Sequence, residues 1–105
     1  MCFGSRTVST WPSHEQVAEE IKKYNITSYA TMLEYYHTVK KNDWYTLYEK
    51  KMILLVLAEC HLMYRPEGPV SKNIVNSIVD KLVQHGYPDV YYIMELKKRV
   101  PPQIT

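Results

Sequence analysis

The sequence predicts an all-α fold, a single small domain of about five helices in which antiparallel hairpins pack around a central apolar helix at about residues 43–64. Three observations predict this class. Apolar residues recur at helical spacing along most of the chain, lysine pairs close several of these segments, and residues 52–63 are strongly polar only at Glu59 and His61. We expect residues 1–12 to be a flexible lead-in, residues 13–100 to be the domain, and residues 101–105 to be a tail or the start of a linker.

Residues 13–40 predict the first two helices. Ser13 and Gln16 have the spacing of a capping box, so a first helix is expected over about residues 14–24. Residues 25–27 form a turn, and Thr27 or Ser28 caps a second helix that ends near Lys40. Its apolar stripe consists of Tyr29, Met32, Leu33, Tyr36 and Val39.

The run 52–63 predicts the buried centre of the domain. A helix that is apolar on nearly all sides is covered by other helices, so Leu54, Leu55 and Ala58 are expected to be buried. The run is too short to cross a membrane, because a span needs about 20 apolar residues.

The central helix is predicted to begin before this run. Trp44, Leu47 and Tyr48 lead into it at helical spacing, with Asn42 or Asp43 as the cap. We therefore expect Trp44 and Leu47 to pack in the core below Leu54.

Two further helices are expected after a loop at residues 65–70. Ser71 is the predicted cap of a fourth helix, and Gly86 suits the position just after its end. Pro88 can occupy the first position of a fifth helix, with Asp89 in its first turn. The predicted inward stripe of that helix is Val90, Ile93, Met94 and Lys97.

Composition narrows the function classes. The formal net charge is only +2, from 13 basic and 11 acidic residues, whereas a tight nucleic-acid binder has a strongly basic face. The chain has two cysteines, Cys2 and Cys60, too few for a disulfide framework. We expect neither of them to form a disulfide or to bind metal. With no secretory signal near the start, an intracellular, cytoplasmic or nuclear location is expected.

No residue pattern indicates catalysis. The four histidines do not pair at ligand spacing, and Cys60 and His61 point in different directions on a helix. Cys60 lies among apolar residues, where a thiol is inert. We therefore predict no enzyme activity, no catalytic residue, no metal and no cofactor.

Tyrosine usage indicates an interaction surface. The chain has ten tyrosines but one phenylalanine, and Tyr is enriched in protein interfaces. In the pairs Tyr35-Tyr36 and Tyr91-Tyr92 one ring can face the core while its neighbour points outward. The predicted partner-binding residues, expected to be exposed or at a boundary, are Tyr35, Tyr45, Tyr91 and Tyr92. The function expected is a protein–protein interaction domain, an adaptor or scaffold, that binds another protein or a second copy of itself.

An alternative is a helix-turn-helix-like nucleic-acid-binding domain. Residues 14–39 read loosely like that motif, and lysine pairs lie at 22–23 and 40–41. However, the turn comes late, and no lysine or arginine lies in the first turns of the second helix to reach a base or a phosphate.

Overall fold

The computed structural model describes residues 11–64 and 68–98, and within these ranges it contains helices and no strand. The helices are α1 His14–Lys23, α2 Tyr29–Lys40, α3 Leu47–Tyr64, α4 Pro69–Gln84 and α5 Val90–Lys97. The all-α class with five helices is therefore confirmed. Cys2, the lead-in up to residue 10, loop residues 65–67 and the tail from residue 99 lie outside the described residues.

The helix α3 is the centre of the fold, because each of the other four helices packs against it. Leu54, Leu55 and Ala58 are all buried, as predicted, and so are the neighbouring residues of the same turns. None of the helices in the described ranges is both long enough and apolar enough to span a bilayer.

The first helix begins and ends through local hydrogen bonds that the sequence predicts. The Ser13 N–H donates to Gln16 Oε1 at 2.8 Å, and the Gln16 N–H donates to Ser13 Oγ at 3.2 Å, which confirms the capping box. After the helix, Asn25 has φ +56°, in the left-handed region. This turn lets the Ile26 N–H bond the Ile21 carbonyl at 3.0 Å and places the Ile26 side chain in the core.

The predicted start of the central helix is wrong by several residues. The cap is Thr46, whose Oγ1 accepts from the Glu49 N–H at 3.2 Å while the Thr46 N–H donates to Glu49 Oε1 at 2.8 Å. Trp44 and Leu47 are exposed, at 87% and 55%, and do not pack in the core. The first turn of α3 is less covered than the rest of the helix: all of residues 47–50 are exposed, although the Tyr48 hydroxyl still donates to Gln16 Oε1 of α1 at 3.3 Å.

The fourth helix begins earlier than predicted. Gly68 precedes it and Pro69 occupies its first position, so Ser71 is inside the helix and is buried instead of being the cap. The predicted end is confirmed: Gly86 has φ +72°, and the following Tyr87 N–H donates to the Leu82 carbonyl at 2.9 Å.

The fifth helix begins after Asp89, which is its cap and accepts from the Tyr92 N–H at 3.1 Å. The predicted stripe is correct only at Ile93, which is buried together with Leu96. Val90 and Met94 are exposed, because α5 lies against both α3 and α4 through the face that carries Ile93 and Leu96.

Candidate protein-interaction site

The four tyrosines predicted to bind a partner have different environments. Tyr35 is buried, with 7% of its surface exposed, so the prediction that it lies at the surface is wrong. The buried face of α2 contains Met32 and Tyr35, whereas Tyr36 is only half-buried. The burial of Tyr35, and secondly the charge of Glu20, raise the pKa of its hydroxyl well above the usual range.

Tyr45 and Tyr35 are brought together in a pocket of about 340 Å³ between α1, α2 and the start of α3. Tyr24 and Tyr48 also line this pocket, and the Tyr24 and Tyr35 rings are 5.1 Å apart. The sequence does not mark Tyr24 or Tyr48 as members of a site, because their helical spacing indicates only that each belongs to the apolar side of its helix.

Tyr91 and Tyr92 lie apart from this pocket, on α5. Tyr91 is 77% exposed. Tyr92 is half-buried, and its hydroxyl donates to Glu59 Oε2 at 3.0 Å. The four residues therefore do not form one surface.

Glu59 joins the two ends of the described chain to the central helix. Its Oε2 accepts the Tyr92 hydroxyl and also lies 3.1 Å from His14 Nδ1, at the start of α1. Burial, and secondly the charge and hydrogen bond of Glu59, raise the pKa of Tyr92 strongly. The Tyr92 hydroxyl therefore stays protonated and acts as a fixed donor, so the arrangement fastens α1 and α5 to α3.

Cys60 and His61 are both enclosed in the core. Burial, with a smaller effect of Glu59, raises the pKa of the Cys60 thiol to about 12, so the thiolate is scarce at neutral pH. The His61 Nδ1–H donates to the Leu57 carbonyl at 2.7 Å, and burial lowers the pKa of this histidine. Within residues 11–64 and 68–98, no three His, Cys, Asp or Glu side chains are grouped as metal ligands.

A groove of about 430 Å³ lies between α2 and α4, above α3, and we call it the basic groove. Its apolar surface consists of Val39, Ile53, Leu54, Leu57, Ile74 and Ile78. Its polar rim contains Lys40, Lys50, Lys81 and His85, and no Asp or Glu is among its lining residues in the described part of the chain.

The segment between α2 and α3 forms one border of the basic groove. Asn42 and Tyr45 both line the groove, and Trp44 lies between them in the chain. The Trp44 N–H donates to Asn42 Oδ1 at 3.1 Å, which holds the backbone of this segment in a turn. Trp44, the largest exposed side chain described in the protein, thus belongs to a hydrogen-bonded segment whose Asn42 and Tyr45 line the groove.

The two helices of the predicted helix-turn-helix alternative are not packed as that motif requires. A helix-turn-helix needs its second helix to lie across the first. No Cα of α1 lies within 8 Å of a Cα of α2, and each helix packs on α3 instead.

Comparison with known proteins identifies no relative of the chain. It matches no known protein family, no curated protein and no solved structure at a significant level of similarity. The function therefore has to be inferred from the surfaces described above.

Proposed function

We propose that the protein is a helical protein–protein interaction domain that binds its partner at Trp44, Leu47 and the adjoining basic groove. The observation that carries the proposal is the 87% exposure of Trp44 in a segment held by its own hydrogen bond. Trp is the residue most typical of interface hot spots, and a Trp on backbone that is already ordered has less conformational freedom to lose on binding.

Leu47, three residues further along in the first turn of α3, is a second exposed apolar side chain, at 55%. Thr46 and Glu49 cap this turn reciprocally, so the backbone that carries Leu47 is ordered before any partner arrives. Trp44 and Leu47 are therefore two exposed apolar side chains on ordered backbone, of the kind that a partner protein covers. The buried free thiol of Cys60 fits an intracellular location, where thiols stay reduced.

Affinity capture with quantitative mass spectrometry tests the proposal. Tagged wild-type protein is compared with Trp44→Ala/Leu47→Ala and with a control, Val83→Ala/Val90→Ala, whose residues are also exposed but do not line the groove. We expect the Trp44/Leu47 variant to lose at least one protein that the wild type and the control retain. Sedimentation of the same three proteins shows whether the partner is a second copy.

Two results would contradict the proposal. The first is an identical set of captured proteins and an identical sedimentation coefficient for the two variants. The second is a tight complex with a DNA duplex at physiological salt that does not depend on Trp44, which would favour the nucleic-acid alternative.

A further inference from the structure

We propose that the basic groove binds an acidic, amphipathic α-helix of a partner protein, an inference that rests on the proposed interaction function and specifies the chemistry of the partner. Three features of the groove support this: its shape, the composition of its surface, and the sign of the charge around it.

The shape of the groove follows from where α2 and α4 meet. Near their first turns, Tyr29 Oη of α2 and Ser71 Oγ of α4 are 2.6 Å apart. Farther along, both helices pack on α3, yet no Cα of one lies within 8 Å of a Cα of the other. The groove thus lies where the two helices have diverged, and α3 forms its floor.

The length of the groove suits about two to three turns of helix. Its lining residues span Lys50 to Leu57 on α3 and Ile74 to Gln84 on α4. At a rise of about 1.5 Å per residue these walls are about 10 Å and about 15 Å long. Helix-in-groove recognition uses side chains at i, i+3, i+4 and i+7, which covers a similar length.

The surface of the groove favours an apolar helix face. Leu54, Leu57, Ile74 and Ile78 belong to the buried core, and Val39 and Ile53 are half-buried. An inserted helix would therefore place its leucine or isoleucine side chains mainly against the half-buried Val39 and Ile53, above a floor that is already covered, while its polar face would meet the rim.

The charge around the groove selects an acidic ligand. Lys40, Lys50 and Lys81 line it from α2, α3 and α4, and within the described residues none of them is in a salt bridge. The Lys40 ammonium is 5.5 Å from the centre of the Tyr36 ring, which keeps this cation at the rim. With three lysines and no carboxylate among the lining residues, a glutamate-rich helix is attracted and a lysine-rich helix is repelled.

Fluorescence anisotropy with designed peptides tests the inference. The probe is a labelled helical peptide of about 12 residues with Leu at i, i+3, i+4 and i+7 and Glu at most other positions. One comparison peptide has Lys in place of every Glu, and a second has the same composition in an order that removes the apolar face. We expect the acidic amphipathic peptide to bind at least about tenfold more tightly than either, and to bind less tightly as salt is raised.

Two pairs of variants locate the binding site. Lys40→Glu/Lys50→Glu/Lys81→Glu should weaken the acidic peptide about tenfold or more, whereas Lys22→Glu/Lys72→Glu/Lys97→Glu, with the same charge change away from the groove, should weaken it much less. Ser77→Trp fills the groove from the exposed side and should block the peptide, while Asn76→Trp, exposed and not lining the groove, should not. Circular dichroism melts show that each variant is folded.

The outcomes separate this inference from the proposed function. Equal binding of the acidic and basic peptides, equal effects of the matched variants, or preferential binding of a DNA duplex in the groove would overturn the acidic-helix inference. If that happens while Trp44-dependent capture persists, the interaction function stands without it. If capture does not depend on Trp44, the proposed function fails whatever the peptides do.

Discussion

The hydroxyls of Tyr29 and Ser71 lie 2.6 Å apart and join α2 to α4, two helices that both pack on α3 and whose Cα atoms stay more than 8 Å apart. Ser71 is buried and Tyr29 is half-buried, so this hydrogen bond is largely screened from water. A hydrogen bond between residues 42 positions apart in the chain thus fixes how the first turns of α2 and α4 meet.

Removing either hydroxyl should lower the free energy of unfolding by about 1 kcal/mol, the usual net value of one hydrogen bond, with more loss if the remaining hydroxyl is left unpaired in the core. Urea unfolding of Tyr29→Phe, Ser71→Ala and the double variant measures this directly. The double variant should lose less than the sum of the single variants, because the two hydroxyls act as a pair. Strictly additive losses would show that the hydrogen bond contributes nothing to stability.

Replacing two leucines of α3 by alanine should lower the free energy of unfolding by very different amounts. Leu55 is fully buried, so Leu55→Ala should cost about 2–5 kcal/mol, from lost apolar burial and the cavity left behind. Leu47 is 55% exposed, so Leu47→Ala should change stability by less than about 0.5 kcal/mol. Chemical denaturation of both variants provides the test, and similar losses would contradict the exposed first turn of α3.

The sequence predicts those features of the fold that local hydrogen bonding and helical spacing determine. The capping box of Ser13 and Gln16 and the left-handed Gly86 depend on neighbouring residues only, and both are confirmed. The burial of the run around Leu55 is also confirmed, because a helix that is apolar on all sides is stable only where other helices cover it.

The features that the sequence does not predict depend on which helix covers which residue. Leu47 continues the apolar spacing of α3, but it stays 55% exposed because no neighbouring helix covers its side chain. Ser71 looks like a cap, yet Gly68 and Pro69 begin the helix and the serine turns to Tyr29. The lysines that line the basic groove come from three different helices, so no local sequence pattern predicts that they lie together.

Stability should fall as the pH rises above about 9, and Cys60 contributes to this. Its pKa is raised from 9.0 in a free thiol to about 12 in the folded protein, mainly by burial. Between these values the unfolded chain releases a proton that the folded chain keeps, so each pH unit lowers the free energy of unfolding by up to about 1.4 kcal/mol for this group.

Cys60→Ala should therefore show a shallower loss of stability with pH than the wild type, even though its stability at neutral pH is reduced by the lost side chain. Urea unfolding at several pH values from about 8 to about 11 gives both slopes. Tyr35 and Tyr92, whose pKa values are also raised, mainly by burial, add to the slope in both proteins; Cys60 is the smallest cause of their shifts, so most of their contribution cancels in the comparison. Identical slopes would mean that the Cys60 thiol is not buried.

The four tyrosines predicted from the sequence should separate into structural and exposed residues when each is replaced by alanine. Tyr35 is buried, and Tyr92 is half-buried with its hydroxyl on Glu59, so both substitutions should cost several kcal/mol, about 3–5 for the buried ring. Tyr91 is 77% exposed, and its replacement should leave the melting temperature nearly unchanged. If Tyr35→Ala loses partner binding, the cause is unfolding of the domain. Tyr45 lies on the border of the basic groove, so a Tyr45→Ala protein that loses binding but keeps its melting temperature has lost a contact with the partner. Thermal melts and affinity capture on the same four preparations distinguish these cases, and a Tyr35→Ala protein as stable as the wild type would contradict the burial of that ring.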